Sequence, residues 1–189
     1  MDKKQRILWG GATASSQYEG GFSSAKGLDT QDCRAYLPRT SNATEETRLL
    51  TKEKIEEAKS LNSNKYYPFR NGTKGFDHLE EDIEYLDELG LDLYRFSISW
   101  ARLFPNGVEE VPSPEGVAYY DQVFNLLAEK GIKIFLTLNH YAMPIYLVEQ
   151  YGGWKGRECI EHFMRFATFV LERWGNLVEY WLPFNEINA

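Results

Sequence analysis

Apolar residues recur at helical spacing in three segments of the chain, and each segment is followed by a glycine and a short apolar run. The helical segments are predicted at 77–89, 114–130 and 158–174, and the glycines that end them are Gly90, Gly131 and Gly175. These glycines recur about every 40 residues, and the apolar runs behind them have the length of strands. With an earlier run at 7–12, predicted to be a short buried strand, the pattern predicts four strands alternating with helices, which is typical of a parallel sheet.

The second predicted strand, 91–100, helps to choose between the two architectures that a parallel sheet allows. The chain has no G-x-G-x-x-G motif after its first strand, which disfavours a doubly wound dinucleotide fold. Along the second strand Arg95 alternates with aromatic residues, so one face is polar. Such a face fits the interior of a barrel, where Arg95 needs a carboxylate partner. We therefore expect an α/β fold, the first half of a (β/α)8 TIM barrel, with residues 1–189 forming an incomplete catalytic domain.

A polar stretch of the chain, about 23–75, interrupts this regular pattern. It is rich in Lys, Glu, Thr, Ser and Asn, with one short predicted helix at 53–60. We predict a long surface excursion, mobile in part, between the first strand and the next helix. Loops of this length in a compact domain usually carry a function or are disordered.

Composition and charge limit the partners of the chain. The net charge of −7 argues against nucleic acid or an anionic membrane as a partner. No apolar run reaches the length of a membrane span, and the first residues lack the apolar core of a signal peptide. Cys33 and Cys159 match no metal or redox spacing, so we expect free thiols and a cytoplasmic location. The two glycosylation sequons, at Asn42 and Asn71, are then fortuitous.

Two polar pairs stand where predicted strands end. Asn139-His140 follows the third strand and Asn185-Glu186 follows the fourth. A carboxylate at the C-terminal end of a barrel strand is placed for chemistry, whereas the alternative is a solvated glutamate in a turn. For His140 the alternative is a core histidine that is satisfied locally.

Four motifs at the ends of successive strands resemble those of family-one glycoside hydrolases, the β-glucosidase and 6-phospho-β-glucosidase group. They are LWGGATASSQYEG at 8–20, YRFSISWAR at 94–102, LTLNHYAMP at 136–144 and FNEI at 184–187. The resemblance covers every regular element and leaves 42–65 unmatched. Met143-Pro144, Trp154 and Ile187 are more similar to the phospho-glycosidases than to the plain β-glucosidases.

The resemblance implies a role for each candidate residue. Retaining glycosidases use two carboxyl groups, one as acid and base and one as nucleophile. Glu186 takes the role of the acid/base, which requires burial and a nearby carboxylate to stay protonated. Asn185 binds the 2-hydroxyl of the sugar, Gln17 and His140 bind other hydroxyls, and Arg95 pairs with the nucleophile. The resemblance implies neither a metal nor a cofactor.

The sequence also departs from the family pattern. Pro183 stands where the family has Thr and supplies no ladder N–H, and Ala142 replaces an acidic residue. The nucleophile, a Glu on a later strand of the family, is absent from 1–189, so we expect this polypeptide alone to be inactive. We expect a small-molecule β-glycoside or 6-phospho-β-glycoside as substrate, and a second copy or a complementary barrel half as partner. Alternatives are a plain β-glucosidase, a non-catalytic half-barrel that at most binds sugar, and an unrelated sugar- or nucleotide-binding α/β domain.

Overall fold

A computed structural model of the chain describes residues 7–22, 26–37, 49–60 and 62–187. Four strands form one sheet: β1 (Gly10–Ala12), β2 (Leu93–Ser97), β3 (Lys133–Asn139) and β4 (Val178–Phe184). The α-helices are α1 (Ser15–Tyr18), α2 (Lys52–Lys59), α3 (Leu79–Glu88), α4 (Trp100–Leu103), α5 (Pro114–Glu129), α6 (Ile145–Tyr151) and α7 (Glu158–Trp174). Three single turns of 3-10 helix lie at Pro68–Arg70, Gly153–Lys155 and Gly175–Leu177.

The four strands lie side by side in chain order, and every neighbouring pair is parallel. This arrangement confirms the predicted α/β fold with parallel strands. Because α3, α5 and α7 each lead into the next strand, the sheet is built as the first four strands of a (β/α)8 barrel are. No helix in the described parts of the chain is long and apolar enough to cross a bilayer.

Local sequence signals explain where the long helices begin and end. Ser113 caps α5 by accepting a bond of 3.2 Å from the Gly116 N–H, and Pro114 takes the first helical position. Gly131 follows α5 with φ +68°, a left-handed conformation that glycine adopts without strain. Helix α7 has the predicted bounds, and its apolar stripe packs on the sheet through Phe166 and Val170.

The core lies between the outer face of the sheet and the helices. Ile134 and Leu136 of β3 are fully buried there against Phe124 of α5 and Trp174 of α7, with the Phe124 and Trp174 rings stacked at 5.0 Å. Burying each such side chain stabilises the fold by about 1.5–3 kcal/mol. Trp100 is 1% exposed, which fits a packing role. The long helices are thereby fixed on the outer face of the sheet.

Two predictions about the strands are wrong. The first strand is not buried, because it is an edge strand and Ile7 and Trp9 before it are 80% and 74% exposed. The second strand ends at Ser97 rather than Trp100, because Ser99 caps α4 by accepting a bond from the Arg102 N–H at 3.3 Å. The fourth strand runs through Pro183, with Phe184 still aligned with Asn139.

The described parts of the predicted excursion pack on the barrel through a second small core. Helix α2 nearly coincides with the predicted 53–60 and buries Ile55 against Cys33 and Tyr67. Thr51 caps it by accepting a bond from the Lys54 N–H. Residues 23–25, 38–48 and 61 lie outside the described residues, so the sequon at Asn42 and the predicted mobility there stay untested.

Three charged side chains of this segment, Lys26, Asp29 and Asp32, form a buried ion cluster. Lys26 donates to Asp32 at 2.7 Å and 2.9 Å and lies 3.0 Å from Asp29, with all three side chains almost inaccessible to solvent. Burial and the neighbouring Asp29 charge raise the pKa of Asp32 to about 7, although Lys26 acts in the opposite direction. One ammonium group faces two carboxyl groups, so one carboxyl group retains its proton up to near-neutral pH.

Candidate active site

The C-terminal ends of β3 and β4 bring two predicted pairs together. Asn139 is aligned with Phe184, and the Asn185 N–H donates to the Asn139 carbonyl at 2.9 Å. His140 follows β3 and Glu186 follows β4 by two residues, so both leave the sheet at the same C-terminal end. This placement agrees with the sequence prediction that both pairs stand at strand ends.

Arg95 crosses the inner face of the sheet from β2 to β4. Its Nε donates to Thr137 Oγ1 at 3.0 Å, and its Nη2 donates to Asn185 Oδ1 at 2.6 Å. Because the amide oxygen of Asn185 is occupied, its Nδ2 is the group left to donate to a substrate hydroxyl. Within the described residues Arg95 therefore binds the amide of Asn185, which lies beside Glu186. The predicted pairing of Arg95 with the nucleophile stays a prediction.

Glu186 lies immediately past β4 in a left-handed conformation, with φ +45°. Its Oε2 accepts a hydrogen bond from the hydroxyl of Tyr141. The carboxylate is exposed, so the burial expected of a general acid is not found in this chain. Tyr141 is a site residue that sequence reasoning missed, and the only signal for it was its position next to His140 at a strand end.

His140 is half-buried beside these groups. Its ring meets the ring of Tyr141 edge-on, with centroids 4.9 Å apart. Burial and the Arg95 charge lower the pKa of His140, and Glu186 acts in the opposite direction. A lowered pKa favours the neutral imidazole, in which one nitrogen donates and one accepts. The ring is partly exposed at a strand end, and its predicted sugar-binding role stays a prediction.

Gln17 lies on α1, at the same end of the sheet but at its opposite edge, and its side chain is exposed. Two bonds hold α1 against β2: the Ser15 N–H donates to Ser97 Oγ at 2.8 Å, and that hydroxyl donates to Ser15 Oγ at 3.1 Å. The Gln17 carbonyl accepts a third bond from the Thr73 N–H at 3.1 Å. The backbone of Gln17 is fixed by these contacts, and its amide is free to meet a ligand.

A buried charged cluster behind α1 was also missed by sequence reasoning. Arg102 Nε donates to Glu19 Oε2 at 2.9 Å, and the Tyr120 hydroxyl donates to Glu19 Oε1 at 2.6 Å. Burial and the charge of Glu19 raise the pKa of Tyr120 well above its ordinary value. Glu19 belongs to the first motif, but its spacing from Arg102 gave no sign of contact. The cluster ties the end of α1 to α4 and to α5.

The described residues contain no group of three or more His, Cys, Asp or Glu side chains that could hold a metal ion. The polar groups that these residues bring to the strand ends are one carboxylate, three amides, an imidazole and a phenol, with the guanidinium of Arg95 beside them. These groups can bind sugar hydroxyls and move one proton, which are two of the tasks of glycoside hydrolysis.

A parallel half-barrel with Asn-Glu at the end of its fourth strand is the frame of a barrel glycosidase, and comparison with known proteins agrees. The family profile of Glycosyl hydrolase family 1 matches residues 3–189. The chain belongs to this family, which confirms the resemblance drawn from the four motifs.

Curated relatives are similar over almost the whole chain. The 6-phospho-beta-glucosidase AscB of Escherichia coli K12 is 39% identical over 97% of this chain and 37% of its own length. The aryl-phospho-beta-D-glucosidase BglH of Bacillus subtilis is 40% identical over 97% of this chain and 36% of its own length. The chain thus spans about a third of the length of the curated relatives it matches.

Solved structures confirm the fold class. The psychrophilic beta-glucosidase BglU from Micrococcus antarcticus superposes with a TM-score of 0.74 at 34% identity, over 95% of this chain and 33% of that one. A rice beta-glucosidase in a covalent complex with Glc gives a TM-score of 0.74 at 27% identity, over 94% of this chain and 33% of that one.

Proposed function

We propose that this chain supplies the acid/base half of the active site of a retaining β-glycoside hydrolase. The observation that carries the proposal is Glu186 at the end of β4, beside Asn185 and Tyr141, on the frame of a family-one glycosidase. Family membership supports the reaction class, and the position of these residues at the strand ends supports the roles that the resemblance implies for them.

In this proposal the reaction proceeds through two displacements. A carboxylate from a later part of the barrel attacks the anomeric carbon while Glu186 gives its proton to the departing glycosidic oxygen. The aglycone leaves as an alcohol, and a covalent glycosyl-enzyme ester remains. Glu186, now ionised, takes a proton from water, and the resulting hydroxide attacks the anomeric carbon and frees the carboxylate nucleophile.

The other predicted residues bind the sugar. The free Nδ2 of Asn185 donates to the 2-hydroxyl, a contact that strengthens in the transition state. Neutral His140 and Gln17 bind further hydroxyls, and Arg95 keeps the nucleophile ionised. No metal or cofactor takes part, since two carboxyl groups and water suffice to hydrolyse an acetal.

The substrate we propose is a 6-phospho-β-glucoside. Support comes from the phospho-glucosidase names of the two curated relatives and from Met143, Trp154 and Ile187. Met143 is buried in the main core, while Trp154 and Ile187 are 50% and 79% exposed. A plain β-glucoside is the alternative, because the two solved relatives are named beta-glucosidases.

The test needs a second barrel half. Residues 1–189 are joined to the C-terminal part of the Escherichia coli relative, giving a protein that we call the completed barrel. Proton NMR of the first product should show the β-anomer. Because the Escherichia coli part itself contributes to phosphate recognition, the preference in kcat/KM for nitrophenyl β-glucoside 6-phosphate over nitrophenyl β-glucoside should equal that of the intact Escherichia coli relative. First appearance of the α-anomer contradicts the retaining mechanism. A large preference for the unphosphorylated sugar rejects the substrate class and leaves the mechanism standing.

The setting of the protein is part of the proposal. Cys33 and Cys159 are both free and buried, which agrees with a reducing compartment such as the cytoplasm. Strands β1 and β4 are the two edges of the sheet, so a complementary barrel half or a second copy is the partner we propose. A non-catalytic, sugar-binding half-barrel is the second candidate, favoured by the exposure of Glu186.

A further inference from the structure

We infer that Tyr141 is a positioning residue for Glu186: its hydroxyl occupies one carboxyl oxygen, so that the other oxygen carries the proton to the substrate. The inference rests on the proposed function, because it names a group that prepares the acid/base of that same site. Its structural basis is the hydrogen bond from the Tyr141 hydroxyl to Glu186 Oε2.

The backbones of both residues are turned toward this contact. Tyr141 and Glu186 have φ +69° and +45°, a left-handed conformation that residues other than glycine rarely adopt. Tyr141 lies two residues past Asn139, and Glu186 lies two residues past Phe184. Asn139 and Phe184 are aligned across β3 and β4. Unfavourable backbone conformations persist only where surrounding contacts impose them, and they cluster at functional sites.

The turn that carries Tyr141 is held by contacts on both sides. Asn139 Nδ2 donates to the Ala142 carbonyl at 2.8 Å and closes the turn from within. From the neighbouring segment Thr30 Oγ1 donates to the Tyr141 carbonyl at 3.3 Å, and the Thr30 N–H donates to the Met143 carbonyl at 2.9 Å. The edge of the Tyr141 ring is further restricted by the His140 ring. The phenol therefore reaches Glu186 from a fixed base.

The consequence for Glu186 follows from the direction of the bond. A phenol that donates to Oε2 leaves Oε1 as the oxygen that can carry the proton. The same bond stabilises the ionised carboxylate, which is the form that deprotonates water in the second displacement. The contact thus selects the reacting oxygen in the first step and supports the base in the second.

Carbon NMR of the 189-residue protein tests the contact without requiring turnover. The probe is the carboxyl signal of labelled glutamate, with the Glu186 signal assigned by its loss in Glu186→Gln. Removing the phenol donor in Tyr141→Phe should shift the Glu186 carboxyl signal at fixed pH, because Oε2 loses its hydrogen-bond donor. Tyr180→Phe is the matched control, since Tyr180 lies on β4 with 45% exposure against 44% for Tyr141.

A reciprocal measurement covers the case in which Tyr141→Phe fails to fold. Ultraviolet titration of the phenol should show that Glu186→Gln lowers the Tyr141 midpoint, because the anionic acceptor is lost. The protein offers a precedent, since the hydrogen bond to Glu81 raises the pKa of Tyr85. An unchanged Glu186 carboxyl signal together with an unchanged Tyr141 midpoint, or an equal signal shift in Tyr180→Phe, overturns the inference.

Kinetics of the completed barrel test the consequence. Tyr141→Phe should lower kcat about tenfold for a substrate with a poor leaving group, leave KM nearly unchanged, and affect a substrate with a good leaving group less. Loss of packing alone would slow both substrates alike, so equal losses overturn the positioning role. If Glu186→Gln leaves turnover intact, the proposed function fails even where NMR finds the contact, so the two failures are distinguishable.

Discussion

Neutralising Glu19 should destabilise the fold strongly, because Glu19 compensates a buried positive charge. Arg102 is 1% exposed, and its guanidinium donates to Glu19 and, at 2.7 Å, to the Gly20 carbonyl. Burial lowers the pKa of Arg102, but the Glu19 charge more than reverses this and leaves it above the ordinary value. The Glu19 carboxylate is therefore the charge that compensates the buried guanidinium.

The size of the effect follows from this burial. Removing one partner of a buried ion pair costs about 3–5 kcal/mol, because the other charge stays buried without compensation. Glu19→Gln keeps the shape of the side chain, so the loss reflects charge rather than a cavity. It also weakens the bond from Tyr120, whose hydroxyl accepts the Ser99 N–H at 2.6 Å. We expect the free energy of unfolding to fall by about 3–5 kcal/mol, a large share of the stability of a typical domain.

Urea unfolding at one fixed protein concentration, followed by circular dichroism, measures this loss. Glu172→Gln on the exposed face of α7 is the control and should change the stability by less than about 0.5 kcal/mol. Arg102→Met should be costly alone, and the double variant should lose less than the sum of the two single losses. Equal stabilities of Glu19→Gln and Glu172→Gln would refute the reasoning.

Two further predictions follow from the sheet edges and from the buried ion cluster. The polypeptide 1–189 by itself should show no glycosidase turnover, because double displacement needs two carboxyl groups, and turnover that is lost on Glu186→Gln would contradict this. It should also self-associate or bind a complementary half, because bare strand edges invite pairing, and a monomer in sedimentation would contradict that. Because the folded-state pKa of Asp32 is raised from 3.8 to about 7, its contribution to stability is fully present below pH 4 and is lost as the pH rises to about 7. Urea midpoints across this window should fall less in Asp32→Asn than in the wild type, and parallel curves would argue against the titration.

Sequence patterns predicted the elements whose signals are local. The bounds of α7 followed from an amphipathic stripe between charged ends, and the start of α5 followed from Ser113 and Pro114. The position of Glu186 at a strand end followed from chain order, because the C-terminal ends of parallel strands lie at the same end of the sheet. The four motifs then placed the chain in a family that the comparisons confirmed.

The features that escaped prediction depend on contacts between distant residues. Alternation continues past Ser97, but β2 ends there because Ser99 caps α4 and its N–H donates to the Tyr120 hydroxyl. The Tyr141–Glu186 bond depends on left-handed backbone at two residues that are not glycine, for which no sequence signal exists. Glu19 and Arg102 are 83 residues apart, beyond the reach of any periodicity.

The most direct test of the central claim, that Glu186 is the acid/base, compares two leaving groups in the completed barrel. A poor leaving group needs protonation and a good one does not. Glu186→Gln should therefore lower kcat/KM far more for a natural 6-phospho-disaccharide than for an activated aryl 6-phospho-β-glucoside. Equal and small losses for both substrates would show that Glu186 is not the proton donor.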